Sequence, residues 1–465
     1  TFVNGLELPY TLTFVPMVSV DGQTGIEEIK RNEILKGSHV FGSLNLKAST
    51  TNKCVVYVNK ETTSLVIYPA TVQGRFYLMG KGIDGDLSGL QTIQIGRSTN
   101  INDTDGFASN TSANINLSLD FQSGNCTTKI PKNAFNGYSG NTINVVIYGN
   151  VTNSNGITLE SGSFCNMPNM TKLPMTNNTS LKVIPENCMN NLASLTSATT
   201  GYVVDVEGCN DMTNLITLRI ESSCEKVNGF NNCPKLKSLS FMSDGKVKEI
   251  GGLNNNAITT FYIPNTALSV SGVNNCSALT TVAIGASLTS FTGFNNCPKL
   301  NKFTVDSSNT TFRVVDNNLY QGNKLCRVPM SKSDIVVTNG TTEIMSNAIQ
   351  VAFANSISIP NGCILSNDSI KCQSVGQIIL HTSFNTETGK YNNLTMTDFS
   401  TLDNVQVGTI FTYGNGITDT TNANCLPIVK YCIEHNINYV DMNETNTNAR
   451  GTIGISGNAE LDGDN

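Results

Sequence analysis

The chain has 465 residues, of which 39% are apolar and 14% charged, with a formal net charge of −6. This balance excludes a basic footprint for nucleic acid or an anionic membrane. No stretch approaches the ~18 consecutive apolar residues that a membrane-spanning helix needs.

The chain opens TFVNG, without Met and without an apolar signal core, which reads as a mature or trimmed product whose targeting segment, if any, has been removed. Residues 1–50 show period-two apolar alternation in LTFVPMVSV and FGSLNLKA but no longer repeat. They are expected to form a β-rich N-terminal cap or attachment module, because the end of a stacked array exposes strand edges and core.

A repeat emerges further along. From Phe230, apolar residues follow at offsets of 3, 6, 9 and 11: Cys233, Leu236, Leu239 and Phe241. Phe294 leads Cys297, Leu300, Phe303 and Val305 in the same way, and both copies begin FNNCPKL. Phe164 leads Met167, Met170 and Leu173; Cys209 leads Met212, Leu215, Leu218 and Ile220; Val273 leads Cys276, Leu279, Val282 and Ile284. With looser copies from Met189 and Leu253, the starts fall 20 to 25 residues apart. That period predicts a solenoid in which each coil shields the apolar side of the next. The alternating end of each unit (LKSLSF, LTTVAI, LITLRI) predicts a short strand, and the positions spaced by three predict a 3₁₀ or helical arc. Fainter copies run through DGDLSGLQTIQI, through Phe135 to Tyr148, and through Val375, Ile378 and Leu380.

The phrases GFNNCPKLKSLSF and GVNNCSALTTVAI resemble the "AFxxCxxLxxVxI" unit of BspA-type leucine-rich repeats. NNLYQGNKLCRVP (317–329) and VVYVNKETTSLVIYP (55–69) resemble that family's "VDGVLYxxxxxxLxxxP" interruption, and CLPIVKYCIEHNINYVDM (425–442) resembles its closing helix and strand. The resemblance implies a right-handed β-rich leucine-rich-repeat solenoid with short strands and 3₁₀ or helical arcs over 51–442, most regular over 160–305. Residues 443–465, polar and Gly-rich, read as a tail.

The 14 cysteines include no CxxC pair, and Cys233, Cys276 and Cys297 share one repeat position, which predicts a column of buried thiols rather than a metal site or disulfide framework. Asn is unusually abundant, and the pairs at 231–232, 274–275 and 295–296 are expected to bond main-chain groups at coil corners. DTDG (103–106) and DGDN (462–465) open like calcium loops but lack the distal Glu. There is no Gly-rich phosphate loop, serine elbow or HExxH, and Trp is zero, which disfavours a polysaccharide-acting enzyme.

The chain is therefore expected to be non-enzymatic and without cofactor or metal. The resemblance implies a leucine-rich-repeat protein at the cell surface or outside the cell, adhering to a protein or to a polymer of a cell envelope or host surface. Self-assembly as a virion or filament component is the alternative.

Overall fold

A computed structural model describes residues 157–174, 181–381, 394–412 and 427–440 in full, with Lys132, Phe135–Gly137, Thr176 and Thr179; further strands are described as backbone alone. The expected cap (1–50) and tail (443–465) lie outside the described residues apart from such strands, and the DTDG and DGDN turns lie outside them as well. The chain divides into two compact units, Thr1–Ile258 with Thr266–Val273, and Thr259–Asn265 with Asn274–Asn465.

The first unit is a β-solenoid. Over residues 181–273 each coil contributes a longer strand and a short one, paired in parallel with their counterparts one coil on, whereas the backbone of Phe14–Val20 pairs antiparallel with Gln23–Ile26 and with Lys53–Tyr57. Ser197–Thr199, Thr217–Ile220 and Ser238–Phe241 form one sheet, with Ala198, Leu218 and Leu239 in register. Val183–Ile184, Asp205–Val206, Lys226–Val227, Glu249–Ile250 and Ser269–Val270 form the other, stacking Ile184, Val206, Val227, Ile250 and Val270 inward. Towards the N-terminus the backbone shows the parallel pairs Lys53–Tyr57 with Arg75–Met79 and Thr62–Ile67 with Thr92–Ile95. The segment 55–69 therefore contributes strands to two different sheets.

The arcs between strands are single turns rather than helices. Leu215, Leu236, Leu279 and Leu300 each donate an N–H to the carbonyl three residues back, which is one 3₁₀-type bond. The bond cannot propagate, because the residues just before it turn left-handed: φ is +66° at Phe230 and +56° at Asn232, and +57° at Phe294 and +54° at Asn296. Asn tolerates this conformation, which accounts for its abundance. Val273 adopts it too (φ +57°) despite its branched Cβ, held there by complete burial. The glycine before it is needed for close approach: a Cβ on Gly272 would lie 2.7 Å from the carbonyl oxygen of Gly252.

The second unit opens with three more coils of the same kind, Thr260–Tyr262, Thr281–Ile284 and Lys302–Val305. An antiparallel excursion then interrupts them, in which Phe312–Val315 pairs with Asn318–Gln321 and that strand with Lys324–Arg327. This is the NNLYQGNKLCRVP segment, and it places Tyr320 and Leu325 in the core. Parallel stacking resumes with Asp334–Val336, Phe353–Pro360, Ser374–His381, Gln406–Thr412 and Asn438–Asp441, the last of which follows the helix Pro427–His435. Gly451–Ile453 adds an antiparallel strand that pairs the outer edge of Asn438–Asp441.

Candidate functional site

The repeat positions singled out in the sequence line the interiors of the two units. In the first, Phe164, Met167, Cys209, Met212, Leu215, Leu218, Phe230, Cys233 and Leu236 are buried, as is Val273. Leu239, on the end strand Ser238–Phe241 of its sheet, is only half-buried. In the second, Cys276, Leu279, Phe294, Cys297, Leu300 and Phe303 are buried, and Phe294 packs against Phe261 and Phe291 at centroid distances of 5.7 and 4.7 Å. These residues build the scaffold and are not brought together at one point.

Polar ladders line one corner of the coils. In the first unit the Asn210 N–H donates to Asn190 Oδ1 (3.0 Å), Asn231 donates both its N–H and Nδ2 to Asn210 Oδ1 (2.9 and 3.0 Å), and Asn254 does the same to Asn231 Oδ1 (3.2 and 2.7 Å). A second, more exposed row runs beside it, from Asn191 Nδ2 to Asn166 Oδ1 and from Asn232 Nδ2 to Asp211 Oδ1. The amides thus satisfy main-chain donors that a corner would otherwise strand.

In the second unit the inner ladder ends on a cation. The Asn295 N–H donates to Asn274 Oδ1 (2.9 Å), and Asn295 Oδ1 in turn accepts from Arg327 Nη1 (3.1 Å) where the next asparagine would stand. Arg327 is 4% exposed, and its other acceptors are the carbonyl oxygens of Gly293 and Asn347, so all three partners are neutral. Its Nε is buried without a hydrogen-bond partner. Burial lowers its pKa to about 10.

In the same unit the arcs of successive coils leave a groove of about 1200 Å³. Its walls mix amides and hydroxyls, among them Asn275, Asn296, Gln350, Gln373 and Thr401, with apolar side chains such as Val351, Ile370 and Val405, and its charged pair is Asp368 and Lys371, 3.3 Å apart. Met330 forms part of the wall and accepts the Cys297 N–H at its sulfur (2.9 Å). Such a surface offers neutral donors and acceptors beside apolar area and little field, which suits shallow recognition of a neutral chain with both polar and apolar groups. Sequence reasoning missed the groove, because its lining is drawn from arcs between residues 275 and 405.

Every cysteine among the described residues is buried, and none is disulfide-bonded. Burial pushes the thiols of Cys188, Cys224, Cys233 and Cys432 up to about 12. Among the described residues no group of three or more His, Cys, Asp or Glu could hold a metal ion, and no helix is long and apolar enough to cross a membrane. The histidines fall apart: His381 Nε2 lies 2.6 Å from Ser358 Oγ on the sheet, whereas His435 stacks on Tyr431 in the helix.

Comparison with solved structures finds proteins of one kind. A leucine-rich-repeat protein from Bacteroides ovatus is 12% identical with a TM-score of 0.41, covering 85% of this chain and 96% of its own. A leucine-rich cell surface protein from Faecalibacterium prausnitzii is 14% identical with a TM-score of 0.34, covering 85% and 91%. The structural neighbours are bacterial leucine-rich-repeat proteins. The pneumococcal vaccine antigen PcpA is among them, 14% identical with a TM-score of 0.27, covering 80% of this chain and 79% of its own. No family model matches the chain, and no curated protein does. At these identities the likeness concerns the fold alone, and the solenoid assignment rests on the coil-to-coil pairing itself.

Proposed function

We propose that the protein is a non-enzymatic binding protein displayed at a cell surface or outside the cell, adhering to a protein or polymer partner through the groove of its second unit. The observation that carries this reading is the lining of that groove, where neutral amides and hydroxyls contributed by several coils outnumber the single Asp368–Lys371 pair. Stacked coils multiply weak contacts, so an extended partner gains affinity by spanning several of them. Exposed aromatic side chains add to this surface, Tyr202 on a turn of the first unit and Tyr262 and Phe353 on strands of the second. The test is retention of the purified chain on immobilised host-surface proteins and envelope polymers, measured for wild type and for Asn296→Arg, which places bulk and charge in the groove. Retention that falls at least about tenfold in the variant supports the reading. Equal retention of both, or of neither above a blank surface, overturns it.

A further inference from the structure

Lys332, Asn318 and Asp316 meet where the antiparallel excursion of the second unit returns to the parallel stack. Asp316 and Asn317 make the tight turn between Phe312–Val315 and Asn318–Gln321, both left-handed at φ +48° and +59°. Lys332 stands just before Asp334–Val336, the strand with which stacking resumes. Its Nζ donates to the Asp316 carbonyl oxygen (2.8 Å) and to Asp316 Oδ2 (2.5 Å), and reaches Asn318 Oδ1 at 3.4 Å. Asn318 is fully buried, and its Nδ2 donates to the Val336 carbonyl oxygen (3.0 Å), so the amide is fixed with its oxygen toward the ammonium. An amine nitrogen, a carboxylate able to take its proton and a neutral amide are thus gathered at one point. A second lysine–asparagine contact lacks this setting. Lys235 Nζ donates to Asn214 Oδ1 at 2.7 Å, a shorter contact, but it is exposed and Lys235 has no ion pair among the described residues.

We propose that Lys332 and Asn318 join in an intramolecular amide bond, with Asp316 as the catalytic acid and base. Asp316 Oδ2 accepts a proton from the Lys332 ammonium, and the freed lone pair of Nζ attacks Asn318 Cγ while the carbonyl electrons move onto Oδ1. As the tetrahedral centre collapses, the C=O bond re-forms and the Cγ–Nδ2 bond breaks. Nδ2 takes the proton held by Asp316 and leaves as ammonia, and the attacking nitrogen gives its extra proton to the carboxylate, which passes it on to make ammonium. One C–N bond forms for one broken, the charge is unchanged, and no oxidant or cofactor is required. Burial of Asn318 keeps water from competing for the amide carbon, whereas Asp316, with its side chain 63% exposed, gives ammonia a way out. The product closes a covalent ring between residues 318 and 332 that pins the excursion to the resumed stack and, unlike the ion pair, persists in the unfolded chain.

The test measures the mass of the purified, denatured and reduced chain, then maps its digest by tandem mass spectrometry. The expected result is a mass below that of the sequence by one ammonia and a branched peptide joining Asn318 to Lys332, with Asn214 and Lys235 recovered in separate linear peptides. Lys332→Arg, which keeps a cation beside Asp316, is expected to restore the full mass. Asp316→Asn, at an exposed turn position whose left-handed backbone Asn tolerates, is expected to do the same by removing the proton acceptor. Should either variant fail to fold, the wild-type mass and branched peptide still decide. A wild-type chain of full mass, a loss of ammonia mapped to any other residue, or a link that forms undiminished in Asp316→Asn would each overturn the proposal.

Discussion

The two units run the same corner chemistry to different ends. In the first, the inner asparagine ladder passes from Asn190 through Asn210 and Asn231 to Asn254, each rung an amide. In the second it runs from Asn274 to Asn295 and stops on the Arg327 guanidinium. An amide rung is neutral and both gives and accepts. A guanidinium only donates and carries its charge wherever it is buried, so the same hydrogen-bonding duty brings an electrostatic consequence to one unit and not the other. What separates the two regions is thus a single long side chain delivered by the antiparallel excursion.

The contrast can be broken most forcefully through the core. Phe294→Ala removes the ring packed between Phe261 and Phe291 and is expected to cost about 3–5 kcal/mol, seen as early loss of the second unit in thermal unfolding with the first unit's transition little changed. Next comes Arg327→Met, which leaves the acceptors at Gly293, Asn295 and Asn347 unsatisfied while removing a buried charge; a loss of roughly 3 kcal/mol is expected. Asn231→Ala cuts one amide rung of the first unit and strands the Asn254 N–H. Its expected cost of about 1–3 kcal/mol in urea unfolding should exceed that of Asn232→Gly, which keeps the left-handed backbone and loses only an exposed amide.

A smaller effect separates the units by pH. Burial holds the His381 pKa below its ordinary value, so the folded second unit binds fewer protons there than the unfolded chain does. The stability this contributes is present above the unfolded value near pH ~6.5 and is lost as pH falls through the lower folded value. Hydrogen exchange should therefore quicken around Ser374–His381 in mild acid, and His381→Asn should abolish that response. An acid response of equal size in Lys226–Val227 of the first unit would mean that His381 is not its source.

Much of the scaffold was legible because its rule is local. The apolar offsets from Phe164, Cys209, Phe230, Val273 and Phe294 are set by one coil at a time, and twenty-odd residues suffice to read them. The expected 3₁₀ arcs are there as single turns, since left-handed Phe230 and Asn232 stop the bond from repeating, which spacing by three does not reveal. Leu239 fits the template yet is half-buried, whereas Phe303 at the same offset is buried, a difference that the template does not carry. Arg327 and the groove were invisible for a further reason. Gly293, Asn295 and Asn347 surround the guanidinium from 20 to 34 residues away, across an excursion that resets the stacking register.

The rungs have a consequence for how such a chain can change over generations. Because Asn231 and Asn254 each give the same two donors to the oxygen of the rung before, a tandem duplication of one complete unit between Asn210 and Asn254 recreates a junction of the kind already present. Length in that stretch is thus open to revision without compensating substitutions, whereas the Arg327 terminus fixes where the count must stop.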